Sequence, residues 1–257
     1  MKAIISGAGG RMGRALMESA KDFPEIEVVA LWEKTGHPAL GKKIGGITVS
    51  PSGENIPEAE VIVEFTSPRA SLEHLSIARE KKISMVIGTT GFSPAEREEI
   101  REAGKTIPIL FSSNMSFGMN LLFHILEEIS KKLPPDYEAE IVEMHHRHKK
   151  DAPSGTALTL GEIIASARGK NLSEVAVFGR EGKTGERNRE EIGIHALRGG
   201  SVVGEHRVIF ATEGERLEFV HTAESRLSFA RGAWRGALWL THQPPGLYSF
   251  RDIILEK

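Results

Sequence analysis

The 257-residue sequence contains no cysteine, so no disulfide holds its fold, which fits a reducing cytoplasm. It has almost no net charge, -2 at pH 7, so no global field draws it to nucleic acid or anionic lipid. Any attraction for an acidic small molecule must be local. No apolar run approaches the roughly 20 residues that span a bilayer. The opening residues lack a signal-peptide layout, because a short apolar run meets a glycine turn by Gly7. The expectation is a cytoplasmic protein with no membrane partner. Internal repeats, low-complexity tracts and the HExxH metal pair are all absent. What remains is ordinary: 40% hydrophobic and 26% charged residues, in a length that suits one large or two moderate domains.

The densest chemistry lies at residues 143–156, Glu-Met-His-His-Arg-His-Lys-Lys-Asp-Ala-Pro-Ser-Gly-Thr. Histidine titrates nearest neutrality, and Arg and Lys add fixed positive charge. Ser154 is a good helix N-cap. Gly155 lets a ligand approach the first N–H groups of a helix starting near Thr156. Proton donors beside a helix N-terminus suit a small anion that must gain a proton. A solvated basic face is the plain alternative. Three histidines in four residues also raise a metal site. On a strand, however, His146 and His148 share a face that His145 does not, and no cysteine completes a ligand set, so no metal is expected. No aromatics interleave the basic residues, which argues against a single-strand nucleic-acid platform.

The first hundred residues alternate strand and helix. Residues 3–6 are apolar, Gly7-Ala8-Gly9-Gly10-Arg11-Met12-Gly13 is a glycine turn, and residues 14–21 have helical spacing. Residues 26–32 read as the next strand, ended by Glu33, 20 positions after Gly13. A dinucleotide-binding fold places the acid for its ribose hydroxyls there, while the glycines admit a pyrophosphate to the helix N-terminus. The turn reads GxxGxxG, not the strict GxGxxG. Lys34 is either a partner for a 2′-phosphate or a solvated surface residue, so both NADH and NADPH are expected. Strands at 61–66, 84–87 and 107–111 follow, with Ser67-Pro68 and Ser93-Pro94-Ala95-Glu96 opening helices. This rhythm predicts a parallel sheet whose ligand lies beyond the strands' carboxyl ends. Gly88-Thr89-Thr90-Gly91 and Ser112-Ser113-Asn114-Met115 lie at those ends.

Beyond residue 115 the rhythm changes. A helix at 117–133 precedes a strand at 139–144 that delivers the histidine cluster. A helix at 156–167 and a polar, glycine-rich and mobile stretch at 179–185 follow. Strands at 192–197, 202–211 and 217–222 are arranged like a meander. His195, His206 and His221 in those strands read as structural histidines. A helix at 228–240 with small residues, and a short apolar run at 247–254, are expected to rejoin the first domain, with Trp234 and Trp239 packing. The fold class expected is α/β. A Rossmann-type dinucleotide-binding domain (residues 1–115 and 226–257) accompanies a smaller α+β domain with a mixed sheet (residues 116–225).

The glycine turn at 7–13, Glu33, Gly88-Thr89-Thr90-Gly91, Asn114-Met115-Ser116 and above all His145-His146-Arg147-His148-Lys149 leading into Asp151-Ala152-Pro153-Ser154-Gly155-Thr156 resemble the dihydrodipicolinate reductase family of lysine and diaminopimelate biosynthesis. The resemblance runs from residue 1 to Gly246-Leu247 and Arg251-Asp252. It implies NAD(P)H-dependent reduction of 4-hydroxy-tetrahydrodipicolinate. Hydride goes to C4 of a cyclic unsaturated imine dicarboxylate, and a proton goes to its α carbon. It further implies that His145 and Lys149 handle the proton, and that His146, Gly155 and Thr156 bind a carboxylate. Gly7, Ala8, Gly9, Gly10, Arg11, Met12, Glu33, Lys34, Gly88, Thr89, Thr90, Ser112, Ser113, Asn114 and Met115 are implied cofactor contacts. A homotetramer assembled through the second domain, and domain closure on substrate, are also implied. Met115 stands where the family commonly has Phe, and Lys150 where the motif varies. Without the resemblance, another two-domain dehydrogenase or a non-catalytic NAD(H) sensor would share the front half.

Overall fold

The computed structural model describes residues 1–54 and 56–256. In chain order it comprises β1 (Lys2–Ser6), α1 (Arg11–Ser19), β2 (Glu27–Glu33), β3 (Lys43–Ile44), β4 (Ile47–Pro51), β5 (Val61–Glu64), α2 (Pro68–Lys81), β6 (Ser84–Ile87), α3 (Pro94–Gly104) and β7 (Pro108–Phe111). There follow α4 (Phe117–Ser130), β8 (Glu138–His145), α5 (Gly155–Ala167), α6 (Leu172–Val175), β9 (Ala176–Val177), β10 (Ile192–Arg198), β11 (Gly204–Thr212) and β12 (Glu215–Ala223). The chain ends with α7 (Leu227–Leu240), β13 (Gly246–Tyr248) and α8 (Phe250–Leu255). Two compact units result: Met1–Phe117 with Arg226–Lys257, and Gly118–Ser225.

The first unit is a sheet of order β13-β7-β6-β5-β1-β2-β4-β3, parallel except for β3 at its edge. Its strands are near-continuous apolar runs because helices cover both faces. Ala3 and Ile5 pack with Leu16 of α1 and Trp234 of α7, whereas Ile4 packs with Leu75 of α2 and Ile100 of α3. Small residues bring α7 close: a Cβ on Gly236 would run into Leu110. The capping box predicted at Ser93 forms, with the Glu96 N–H on Ser93 Oγ and the Glu96 carboxylate on the Ser93 N–H. Ser67 holds the N-cap position of α2 but its side chain makes no cap bond, so Pro68 at the first turn marks that start. α1 begins at Arg11, not residue 14, because the glycine turn feeds the helix directly.

The second unit is a sheet of order β12-β11-β8-β10-β9. Of the meander expected from the sequence, β11 and β12 pair as an antiparallel hairpin, but β10 does not lie beside β11. β8 lies between β10 and β11, parallel to the first and antiparallel to the second. The segment from β8 through α5 supplies the crossover that a parallel neighbour needs. Along β8, Ala139 and Ile141 point to the side where Leu126 of α4 and Leu160 and Ile164 of α5 pack. Ile192, Ile194, Val208 and Phe210 from the flanking strands share that core. The stretch at 179–185 is tied to Glu140 by Arg180 within it at 3.0 Å and by Arg187 just beyond it at 2.9 Å.

Candidate active site

In the second unit the core-facing stripe of three adjacent strands turns from apolar to ionisable at one end. Side chains alternate along a strand, so the stripe Ala139, Ile141 continues to Glu143 and His145 on the same face. By the same count Ile192 and Ile194 lead to Arg198, and Phe210 and Val208 lead back to His206 and Gly204. His206 is the register partner of Glu143, and Arg198 that of His145.

Glu143 is fully buried and fully engaged. It accepts from His145 Nδ1 at 2.6 Å, from both terminal nitrogens of Arg198 at 2.8 Å, and from the backbone N–H of Ser154 at 3.0 Å. Burial alone would raise its carboxyl, but Arg198, His145 and the Ser154 N–H outweigh that and hold it below the ordinary range. His145 is pushed below the ordinary histidine value, first by burial and then by the positive charges of Lys149 and Arg198, against the pull of Glu143. The resting imidazole is therefore neutral at pH 7. Glu143 fixes its Nδ1–H, leaving Nε2 as the nitrogen able to take up a proton. A Cβ on Gly204 would stand 3.1 Å from that Nε2, so glycine keeps it open.

Ser154 caps α5 as expected, its Oγ accepting from the Ala157 N–H at 3.2 Å. The same hydroxyl meets His206 Nε2 at 3.0 Å, and the His206 ring packs edge-on against His145 at 5.2 Å. Beside Gly155 no atom beyond its chain neighbours and its own helix backbone lies within 4 Å of the place a Cβ would take, so the first turn of α5 is approachable by a ligand. Lys149 reaches Asp151 at 2.9 Å. The His146 and His148 rings neighbour one another at 6.2 Å, beyond the end of β8. Sequence reasoning missed Glu143 and Arg198 and took His206 as merely structural. The signal for Glu143 was a carboxylate two residues before His145 on one strand face. His195 is placed on Glu140 at 2.8 Å, in the cluster with Arg180 and Arg187.

His206 supplies a test. Burial, then the neighbouring His145, lowers it to about 3. Below the ordinary histidine value the unfolded chain takes up a proton that the folded chain refuses. Stability should therefore fall as pH drops from 6.5 toward 3, by about 1.4 kcal/mol per unit for one proton. His145 adds in the same direction. Glu140, held at about 2 although burial would raise it, contributes stability that is lost only below its ordinary 4.5. Melting temperatures of the wild type are expected to decline between pH 7 and 5, and those of His206→Gln to decline less. Equal slopes would contradict the buried neutral ring.

In the first unit a cavity of about 420 Å³ opens at the carboxyl ends of β1, β2 and β5, bordered by Gly7, Gly10, Glu33, Lys34, Thr66 and His74 among others. Gly7 has φ +79, and a Cβ there would strike the backbone oxygen of Phe65, so only glycine fits. The N-cap of α1 is Gly10, which has no side chain to satisfy the helix's first N–H groups. Glu33 accepts from the backbone N–H of Gly9 at 2.9 Å and of Lys34 at 3.2 Å, so the acid fixes the turn it borders. An open cradle, uncapped N–H groups and a carboxylate with spare lone pairs fit a dinucleotide. Of the predicted contacts, Gly7, Gly10, Glu33 and Lys34 border this cavity. Gly88 and Ser112 lie one residue past the paired ends of β6 and β7. Thr89 Oγ1 accepts from the Thr66 N–H at 2.9 Å, and Ser112 Oγ donates to Asn114 O at 2.8 Å. The Met115 side chain is buried in the core, which leaves only its backbone to meet a ligand.

Among the described residues, no group of three or more His, Asp or Glu is placed to hold a metal ion, and no helix is long and apolar enough to cross a membrane. Residues 1–115 match the family model described as dihydrodipicolinate reductase, N-terminus, and residues 118–254 the one described as dihydrodipicolinate reductase, C-terminus. The 4-hydroxy-tetrahydrodipicolinate reductase of Nitrosomonas eutropha is 46% identical over 262 residues, covering 99% of this chain and 98% of its own. That of Syntrophus aciditrophicus is 45% identical over 263 residues, with the same coverage. A solved structure described as dipicolinate-bound dihydrodipicolinate reductase from Paenisporosarcina sp. TG-14 shares the fold, with a TM-score of 0.80 at 22% identity over 99% of each chain.

Proposed function

The chain belongs to the dihydrodipicolinate reductase family, and from that premise we propose how its residues divide the work. It reduces 4-hydroxy-tetrahydrodipicolinate to tetrahydrodipicolinate with NADH or NADPH, in lysine and diaminopimelate biosynthesis. The 4-hydroxyl leaves with a neighbouring ring proton as water, which gives the unsaturated imine, and the dinucleotide, when bound, supplies the hydride that reduces it. Two tasks remain for the protein: to hold the two carboxylates and to bring one proton to the carbon that becomes electron-rich.

Residues 1–115 and 226–257 form the dinucleotide-binding domain in this reading. Gly7, Ala8, Gly9, Gly10, Arg11 and Met12 take the pyrophosphate, and Glu33 the ribose hydroxyls. Lys34 meets a 2′-phosphate. Residues 88–90 and 112–115 border the nicotinamide end. Residues 116–225 form the substrate domain. The first N–H groups of α5 at Gly155 and Thr156 take one carboxylate, where the helix N-terminus favours negative charge. His146 and the Lys149 ammonium assist. His145, neutral at rest, gains proton affinity when an anionic carboxylate arrives near Nε2, because an opposite charge favours the imidazolium. Lys149 carries the nearby ammonium protons that serve the same transfer. Glu143 holds the ring in place throughout. The observation that supports this reading most is the Glu143–His145 pair set against the capped N-terminus of α5.

Cytoplasmic location is part of the proposal, as is a homotetramer through the second unit's sheet. The helices cover one face of that sheet, and the other exposes Leu197 and Val220 about half. Light scattering should give four copies, and a monomer would remove the assembly. The function is tested by loss of reduced-nicotinamide absorbance on adding freshly condensed aspartate-semialdehyde and pyruvate. Oxaloacetate with ammonia, and aspartate-semialdehyde alone, the oxidised partners of aspartate and homoserine, should give no loss. Activity with those instead would move the chain to another dehydrogenase class.

A further inference from the structure

The floor of the first unit's crevice carries ionisable groups that the reaction leaves idle. From β1 the sheet grows outward through β2 to β4, then the chain returns to β5 and grows the other way through β6 and β7. Such sheets bind ligands outside the strand ends at that reversal. Ser6 and Glu64, the last residues of β1 and β5, are register partners there. Glu64 is fully buried, and an unpartnered carboxylate in that place would cost several kcal/mol. Its oxygens are taken by His74 Nδ1 at 2.5 Å, by Ser71 Oγ at 3.3 Å and by the Thr66 hydroxyl. His74 reaches in from α2, packs on the Trp32 ring at 5.6 Å, and also meets Ser6 Oγ with Nδ1 at 3.1 Å. With Nδ1 committed to Glu64, the ring offers a ligand only Nε2. That atom has no protein partner among the described residues, and the ring borders the cavity.

We propose that His74 binds the adenosine end of the dinucleotide through Nε2, and that Glu64 is the positioning residue that fixes the ring's tautomer. The logic is that of a carboxylate that orients a histidine whose other nitrogen does the work. The cavity that His74 borders also holds Glu33 and Lys34, the groups suited to a ribose and its phosphate. This inference rests on the reading that the cavity takes the dinucleotide. Nothing in it concerns the nicotinamide ring or the substrate.

Binding without substrate tests it. Dissociation constants for NADH and for reduced nicotinamide mononucleotide, which lacks adenosine, are read by fluorescence on the full chain. His74→Asn keeps a nitrogen at the Nδ1 position and removes Nε2. It should weaken NADH about tenfold, equivalent to about 1.4 kcal/mol, and leave the mononucleotide unchanged. Glu64→Gln should weaken NADH in the same selective way, and Glu33→Ala serves as the control for the cavity. If Glu33→Ala weakens NADH and His74→Asn does not, this proposal fails alone. If neither does, the cavity reading fails with it. Parallel losses for NADH and the mononucleotide would make the pair merely structural and overturn the proposal. Should the variants not fold, wild-type protein with ¹⁵N-labelled histidine decides. The His74 Nε2 resonance should move on adding ADP-ribose and stay still with the mononucleotide, and a still resonance with ADP-ribose overturns it.

Discussion

Exchanging Glu143 for Gln is expected to lower kcat by about 10²–10³-fold while leaving the KM for NADH unchanged. The carboxylate has four donors around it: His145 Nδ1, two Arg198 nitrogens and the Ser154 N–H. An amide has one acceptor oxygen and one NH₂, so it cannot satisfy that set. Its NH₂ would face a donor, and the His145 ring would turn or take the other tautomer. Glu143→Ala should do more. It strands the Arg198 guanidinium without its buried partner, a kind of loss that costs about 3–5 kcal/mol. Chemical denaturation separates the effects: Gln should lose turnover well beyond its loss of stability, whereas Ala should lose both. If Gln kept full turnover, Glu143 would be only a structural ion pair.

Replacing His145 with Gln should cut turnover by about 10²–10⁴-fold with little change in NADH affinity, because His145 belongs to a different unit from the cavity proposed for the cofactor. Lys149→Met should lower kcat and also raise the KM for the dicarboxylate if its ammonium assists in holding it, as proposed. The informative variant is the double one. Residues that act as a unit on one proton are non-additive, so His145→Gln with Lys149→Met should fall close to the worse single variant. Multiplying losses would mean two independent contributions. Unimpaired turnover in His145→Gln would remove that ring from the chemistry.

Local pattern made much of this molecule legible. The glycine turn, Glu33 and the apolar runs of β1, β5 and β6 are short-range signals of a sheet covered on both faces, and Ser93 and Ser154 cap the helices as read. β3 and β4 were missed because two to five residues around a glycine pair, Gly45-Gly46, carry too little periodicity. The second sheet is mixed and pairs β11 with β12 as read, but the place of β8 was missed because strand propensity says nothing about which strand lies alongside. Only the crossover through α5 places β8 between β10 and β11. That error hid the partners of His145. Arg198 and His206 reach Glu143 and His145 solely through strand pairing, so each looked like an isolated polar residue in a strand. Glu64 was equally visible and equally unread: a charge within the buried run of β5 is anomalous until Ser71 and His74 of α2 are seen around it.

The most direct measurement is the titration of His145 in ¹⁵N-histidine-labelled protein, with and without dipicolinate, its signals identified by their loss in His145→Gln. The expected result is a ring that stays neutral below the ordinary histidine value in the free protein, with its proton on Nδ1, and whose proton affinity rises when the dicarboxylate binds. A ring that titrates at the ordinary value and is indifferent to dipicolinate would contradict it.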